Sequence, residues 1–181
     1  MTSLETLYIG GCELPELPAI RAMTRLTSLT LLSGGALKEL PCFEPLTPLR
    51  HLRLEYLTNL TRLPSSMSKL TGLRELRLYV YNKITELPSI VRIISLETLH
   101  IIMCDVLHET RLTNLTLDAL HIENCGALRE LPASIDALTA LHTLTLRYLP
   151  NLKTLPASIV AHTALTAHPE RLWAHRRAIV H

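Results

Sequence analysis

The sequence predicts an α/β repeat solenoid, with a parallel β-sheet lining a concave side and an irregular or short-helical convex side. Three observations carry that prediction. The triad Leu-x-x-Leu-x-(Leu/Ile) recurs seven times. The leucines that open successive triads stand 21 to 24 residues apart, and a Leu-Pro pair closes six of the seven units. Self-similarity at a fixed period of this size marks stacked supersecondary units.

The triads are Leu4-Leu7-Ile9, Leu26-Leu29-Leu31, Leu49-Leu52-Leu54, Leu73-Leu76-Leu78, Leu96-Leu99-Ile101, Leu117-Leu120-Ile122 and Leu141-Leu144-Leu146. Within each, the last two apolar positions alternate with an outward residue, the period of a strand with one buried face. Strands are therefore expected at residues 6–9, 28–31, 51–54, 75–78, 98–101, 119–122 and 143–146. A lone strand and its return loop cannot bury their own leucines, so neighbours must stack and share one continuous core. Parallel neighbours then lie about 4.8 Å apart.

The pairs Leu17-Pro18, Leu40-Pro41, Leu63-Pro64, Leu87-Pro88, Leu131-Pro132 and Leu155-Pro156 mark the convex return. Proline carries no N–H and stops ladder pairing. After it, Ser65-Ser66-Met67 and Ala133-Ser134-Ile135 are placed to form a helical turn. The fifth unit departs from the pattern. It is 21 residues long, Thr110-Arg111 stands where Leu-Pro is expected, and Asn114 replaces the apolar residue that Met23, Leu46, Leu70, Ile93 and Leu138 supply elsewhere. An irregular convex loop is expected there, with Leu112 or Leu115 turned inward as the substitute.

The repeats are assigned to residues 1–165. The first triad opens at Leu4 with no capping segment ahead of it, as in a piece of a longer protein. Residues 166–181 leave the register. Pro169-Glu170-Arg171-Leu172-Trp173 reads as a helix start, and Leu172, Trp173, Ile179 and Val180 are placed to cover the last repeat as a C-terminal cap, or to begin a following segment.

The unit LxxLxLxxC-x-x-L-x-x-LP-x-x-I resembles the 23–24-residue repeat of intracellular leucine-rich-repeat proteins over residues 4 to 165. Similar units occur in plant immune receptors, in Ras-group scaffold proteins and in effectors that plant-pathogenic bacteria inject into host cells. The resemblance implies a leucine-rich-repeat horseshoe that binds a partner protein and carries no catalytic activity or cofactor of its own. It does not identify the partner, because fold alone does not specify function.

Composition agrees with a binding module. The chain has 181 residues, 48% of them hydrophobic but only 4% aromatic, so its core must be aliphatic. A net charge of +2 is too balanced for a phosphate-tracking surface, which argues against a nucleic-acid partner. Apolar runs such as Ile101 to Cys104 fall far short of the roughly 20 residues that span a bilayer. The start, Met1-Thr2-Ser3-Leu4-Glu5, has neither the basic nor the apolar region of a signal peptide. The expected compartment is a reducing cytoplasm or, for a bacterial effector, the host cell reached without a signal peptide. Cys12, Cys42, Cys104 and Cys125 are accordingly expected as thiols.

His100-x-x-x-Cys104 and His121-x-x-x-Cys125 imitate a zinc-binding pattern. They are one repeat register seen twice: the histidines point outward between two leucines, and the cysteines, like Cys12, take a ninth position that turns inward. Ligands on two faces cannot meet on one ion, so no metal is expected, and Cys12, Cys104 and Cys125 are expected to be buried. No nucleophile elbow, phosphate loop or HExxH helix is present, and no deep cleft for a small-molecule substrate is expected of a solenoid.

The outward strand positions supply the candidate partner-binding residues, because side chains alternate along a strand. One stripe reads Tyr8, Thr30, Arg53, Arg77, His100, His121, Thr145; the next reads Gly10, Leu32, Glu55, Tyr79, Ile102, Glu123, Arg147; beside it run Tyr56, Val80, Met103, Asn124 and Tyr148. Aromatic and Arg residues gather in the third to sixth units, the composition of an interface core rather than of a solvated sheet. Arg53, Glu55, Tyr56, Arg77, Tyr79, His100, Ile102, His121, Glu123, Arg147 and Tyr148 are therefore the expected contacts with a protein partner. Two other roles fit the same sequence. The repeats can serve as the substrate-recognition domain of a larger enzyme, such as an effector ubiquitin ligase, or as an inhibitory module packed on a neighbouring domain of its own chain.

Overall fold

A computed structural model describes residues 3–17, 20–33, 35–87, 90, 92–107, 112, 115–131, 133–156 and 159. Seven strands form one parallel sheet in chain order: β1 (Thr6–Cys12), β2 (Ser28–Ser33), β3 (His51–Glu55), β4 (Glu75–Tyr79), β5 (Thr98–Ile102), β6 (Ala119–Glu123) and β7 (Thr143–Arg147). Every strand expected from the triads is present, each extending at least one residue further. Register follows the repeat: Leu52 pairs with Leu76, Leu76 with Leu99 and Leu99 with Leu120. Each leucine therefore stacks on its counterpart one unit away, and this stacking is what encloses the core.

The core is a column of aliphatic side chains. All three triad residues are buried in units two to six, whereas Leu4, Leu7 and Ile9 of the first unit are only partly buried. Inner strands have neighbours on both sides and β1 has one, so an inward side chain of β1 is covered from one direction only. Full burial of a leucine contributes roughly 1.5–3 kcal/mol, which concentrates stability in the middle units.

The return path is built from tandem tight turns. The amides of Leu46, Leu70, Ile93 and Leu138 donate to the carbonyls of Phe43, Met67, Ile90 and Ile135, three residues back. Short 3-10 helices occupy Ile20–Ala22, Ser65–Lys69 and Ala133–Ala137, the last two where the serine-containing segments after Leu-Pro were expected to turn. In the fifth unit both Leu112 and Leu115 are buried, replacing the apolar residue lost at position 114. The expected irregular loop at Thr110-Arg111 and the cap at 166–181 lie outside the described residues.

One inward position departs from expectation. Cys104 and Cys125 are buried, but Cys12 is exposed. It shares their repeat position, yet it sits on the first strand beyond a register break between Gly10 and Cys12, with no rung on its other side. Tyr81 takes the same inward position in the fourth unit and is fully buried, its hydroxyl without a hydrogen-bond partner among the described residues.

Candidate functional site

The outer face of the sheet is a grid fixed by register. Across the strands, Thr30, Arg53, Arg77, His100, His121 and Thr145 pair in sequence. The next row runs Leu32, Glu55, Tyr79, Ile102, Glu123, Arg147. All eleven candidate contact residues thus lie on one surface, in adjacent rows. Arg53, Tyr56 and Tyr148 are exposed and the other eight are half-buried, because neighbouring rungs at strand spacing shield one another.

A third row follows the strand ends. Tyr56, Val80, Met103, Asn124 and Tyr148 all have left-handed backbones, with φ between 52° and 59°, and Gly11 takes the equivalent place at 67°. The cause is a sharp bend. The amide of Tyr56 still donates across the ladder to Tyr79, that of Val80 to Ile102, that of Met103 to Glu123 and that of Asn124 to Arg147. The next residue, Leu57, Tyr81, Cys104, Cys125 or Leu149, is already buried in the core. Only a positive φ lets the chain turn inward within one residue while keeping that bond. Glycine and asparagine tolerate this conformation, whereas Val, Tyr and Met adopt it at a cost of roughly 1–2 kcal/mol. Tyr56, Met103 and Tyr148 nevertheless present 42%, 40% and 49% of their surface to solvent.

Ring contacts and ion pairs organise the surface. Tyr56 and Tyr79 meet edge to face with centroids 5.1 Å apart, and the Arg147 guanidinium lies 5.9 Å from the centre of the Tyr148 ring. Glu75 is shared by His51 (3.2 Å), Arg53 (3.2 Å) and Arg77 (3.6 Å). Burial pushes the Glu75 carboxyl upward, but the His51 hydrogen bond and the Arg53 and Arg77 charges outweigh it and hold it below the usual carboxylate range. The imidazoles of His100 and His121 stack with centroids 4.4 Å apart and planes 6° from parallel. Nδ1 of His121 lies 2.9 Å from Oγ1 of Thr145.

The histidines lie on this outer face while Cys104 and Cys125 lie in the core, so the two halves of the apparent zinc pattern are divided as the repeat register requires. Among the described residues no three metal-ligating side chains come together, and no helix is long and apolar enough to cross a membrane. Sequence reasoning placed the third row correctly on the surface but missed its backbone conformation. Gly11 and Asn124 were the available signal for it.

No family model and no curated protein matches the chain by sequence. Solved structures do. The leucine-rich-repeat domain of the type III effector XopL is similar over 92% of this chain and 68% of that one, at 28% identity and a TM-score of 0.69. An internalin from Listeria monocytogenes, inlF, matches 92% of this chain and 47% of its own, at 20% identity and a TM-score of 0.62. The internalin inlC2 from the same organism matches 90% of this chain and 80% of its own, at 18% identity and a TM-score of 0.54. The two internalins show the fold alone, and the present chain spans about half the length of the first of them. With seven in-register parallel strands, leucine triads stacked in one core and these neighbours, the chain has the leucine-rich-repeat fold.

Proposed function

We propose that this chain is a protein-binding module that recognises a partner protein through the outer, concave face of its sheet. The observation that carries the reading is the left-handed row. At four of its positions, Tyr56, Val80, Met103 and Tyr148, a bulky side chain stands where glycine or asparagine would fold more easily. Strain of this kind persists where side chains are kept for something other than folding. These side chains also border Tyr79, Ile102 and Arg77, giving aromatic, aliphatic and guanidinium groups on one surface, the composition of interface anchors.

The test is capture of partners from host or plant lysate by the wild-type chain and by a Tyr56, Arg77, Tyr79 triple-alanine variant of equal thermal stability. Loss of the captured protein with the triple variant supports the concave site. Retention moves the site to the convex side or to the segment after residue 159.

A second reading makes the repeats the substrate-recognition part of a larger enzyme, such as an effector ubiquitin ligase. The observation in its favour is the likeness to a leucine-rich-repeat domain of a type III effector. The full open reading frame separates the two readings, since the second requires a catalytic domain on the same chain.

A further inference from the structure

The centre of the concave face holds three arginines against three glutamates, and their arrangement is uneven. Arg53 and Arg77 share the single carboxylate of Glu75 at one end of the histidine pair. At the other end Arg147 faces Glu123 at 3.8 Å. Between them stand His100 and His121, stacked face to face and half-buried. The groups facing the pair are Arg77 and Glu75 from β4, Glu123 from β6, and Thr145 and Arg147 from β7, with Arg53 one strand further away. With both imidazoles neutral the surface is electrically balanced. Protons on this pair would give it a net positive charge, with His51, on the Arg53 side of Glu75, the other histidine of the cluster.

Two stacked rings at 4.4 Å cannot both carry a proton without strong mutual repulsion, unless an anion is placed against them. Burial, the neighbouring ring and the Arg77 charge push His100 down to about 4; burial and Arg77 also lower His121, against the upward pull of Glu123. In the free protein both rings are therefore neutral near neutrality. Because Nδ1 of His121 is engaged with Thr145, its Nε2 is left to meet a ligand.

Resting on the concave-face reading above, we propose that the His100–His121 pair, with Arg77, is a proton-linked site for an Asp- or Glu-bearing segment of the partner protein. A carboxylate docking beside the pair offsets the repulsion, and at least one imidazole takes up a proton from solvent as it binds. Charge complementarity thus appears on binding, and it favours a single carboxylate. A polyphosphate backbone would meet Glu55, Glu75 and Glu123 on the same face. The sign follows. A ligand that raises a histidine pKa binds more tightly as pH falls from the pKa of the complex toward that of the free protein.

The test is selection of a displayed random peptide library on the folded chain at about pH 6, with affinities then measured at about pH 6 and about pH 7.5, the range in which a histidine site switches. The expected result is enrichment of peptides carrying Asp or Glu, with affinity about tenfold or more weaker at the higher pH. A His100→Gln/His121→Gln variant flattens that pH profile, and the histidine C2–H resonances of the wild type titrate at higher pH in the complex. Peptides weakened by Tyr79→Ala but showing no acidic enrichment or no pH dependence overturn the proton-linked site and leave the concave reading standing. Peptides indifferent to both Arg77→Ala and Tyr79→Ala overturn both. Failure to enrich any peptide at about pH 6 counts against the acidic site.

Discussion

Tyr56 and Tyr79 meet edge to face across two adjacent repeats, ring centroids 5.1 Å apart and planes at 77°. The contact joins the end of β3 to the end of β4 on the outer face, and Arg77 lies two residues before Tyr79 on the same face of β4. Neither tyrosine supports the core, since the core-forming residues of these strands are Leu52, Leu54, Leu76 and Leu78.

The first prediction separates the two faces of β4. Arg77→Ala and Tyr79→Ala each weaken partner binding by roughly 2 kcal/mol, about thirtyfold. Their thermal stability changes by less than about 1 kcal/mol. Leu76→Ala does the reverse: its side chain is 1% exposed, and its loss costs about 2–5 kcal/mol of stability. Chemical denaturation and equilibrium binding of the three variants check this. Equal behaviour of all three would remove the distinction between core and outer positions.

The strain in the left-handed row predicts a trade between stability and binding. Val80 is β-branched and holds φ at 59°, where the same row elsewhere carries Asn124. Val80→Asn is expected to stabilise the chain by about 1 kcal/mol, because asparagine visits this conformation at lower cost. It removes an apolar side chain from the surface and so weakens partner binding, the pattern of a residue kept for function. Urea midpoints measured with the slope unchanged decide it, and a lower midpoint would show that packing of the valine outweighs the strain.

The leucine triads made the seven strands legible, because period-two alternation at 21–24-residue spacing admits one register. The left-handed row was not legible. Its usual marks are glycine and asparagine, and Tyr56, Val80, Met103 and Tyr148 read instead as strand formers. Cys12 shows the limit of arguing from repeat position. It matches Cys104 and Cys125 in sequence, but it lies on an edge strand just past the register break between Gly10 and Cys12. Tyr81 sits in that slot between two rungs, so its bulk is enclosed regardless of its hydroxyl. The adjacency of His100 and His121 followed from register, whereas the stacking of their rings depends on side-chain rotation that sequence does not specify.

Glu75 predicts a pH-dependent contribution to stability. Its carboxyl is held below its ordinary value by His51, Arg53 and Arg77 against the opposing effect of burial. A depressed carboxylate stabilises the fold above its unfolded pKa and loses that contribution as pH falls through the folded one. Glu75→Gln is therefore less stable than the wild type near neutral pH, by less than about 1 kcal/mol because solvent still screens the cluster. The difference closes as pH falls through the lowered folded-state pKa, beneath the ordinary carboxylate range, and the wild-type carboxyl protonates. Paired thermal melts across that range measure it, and a constant gap at low pH would assign the effect to packing instead of charge.

Tyr81 predicts a stabilising substitution inside the core. The ring is 1% exposed among Leu, Ile and Cys side chains, and its hydroxyl has no hydrogen-bond partner among the described residues. Burial pushes the phenol well above its ordinary pKa, so it is neutral at every working pH. A buried hydroxyl without a partner costs about 1–3 kcal/mol, the desolvation it suffers with nothing returned. Tyr81→Phe keeps the ring and removes the cost, leaving a space too small to collapse. The expected outcome is a higher urea midpoint by an amount equivalent to about 1 kcal/mol, with the slope unchanged. Partner binding should be unaltered, since the side chain is enclosed and never reaches the outer face. Tyr81→Leu serves as the control. It shortens the side chain and opens a cavity between the fourth and fifth repeats, so it should destabilise while matching Leu57 and Leu149 in the same repeat position. A lower midpoint for Tyr81→Phe would mean that the hydroxyl is satisfied after all, and the ninth position of the fourth repeat would then be a specific polar site instead of an aliphatic rung filled by a tyrosine.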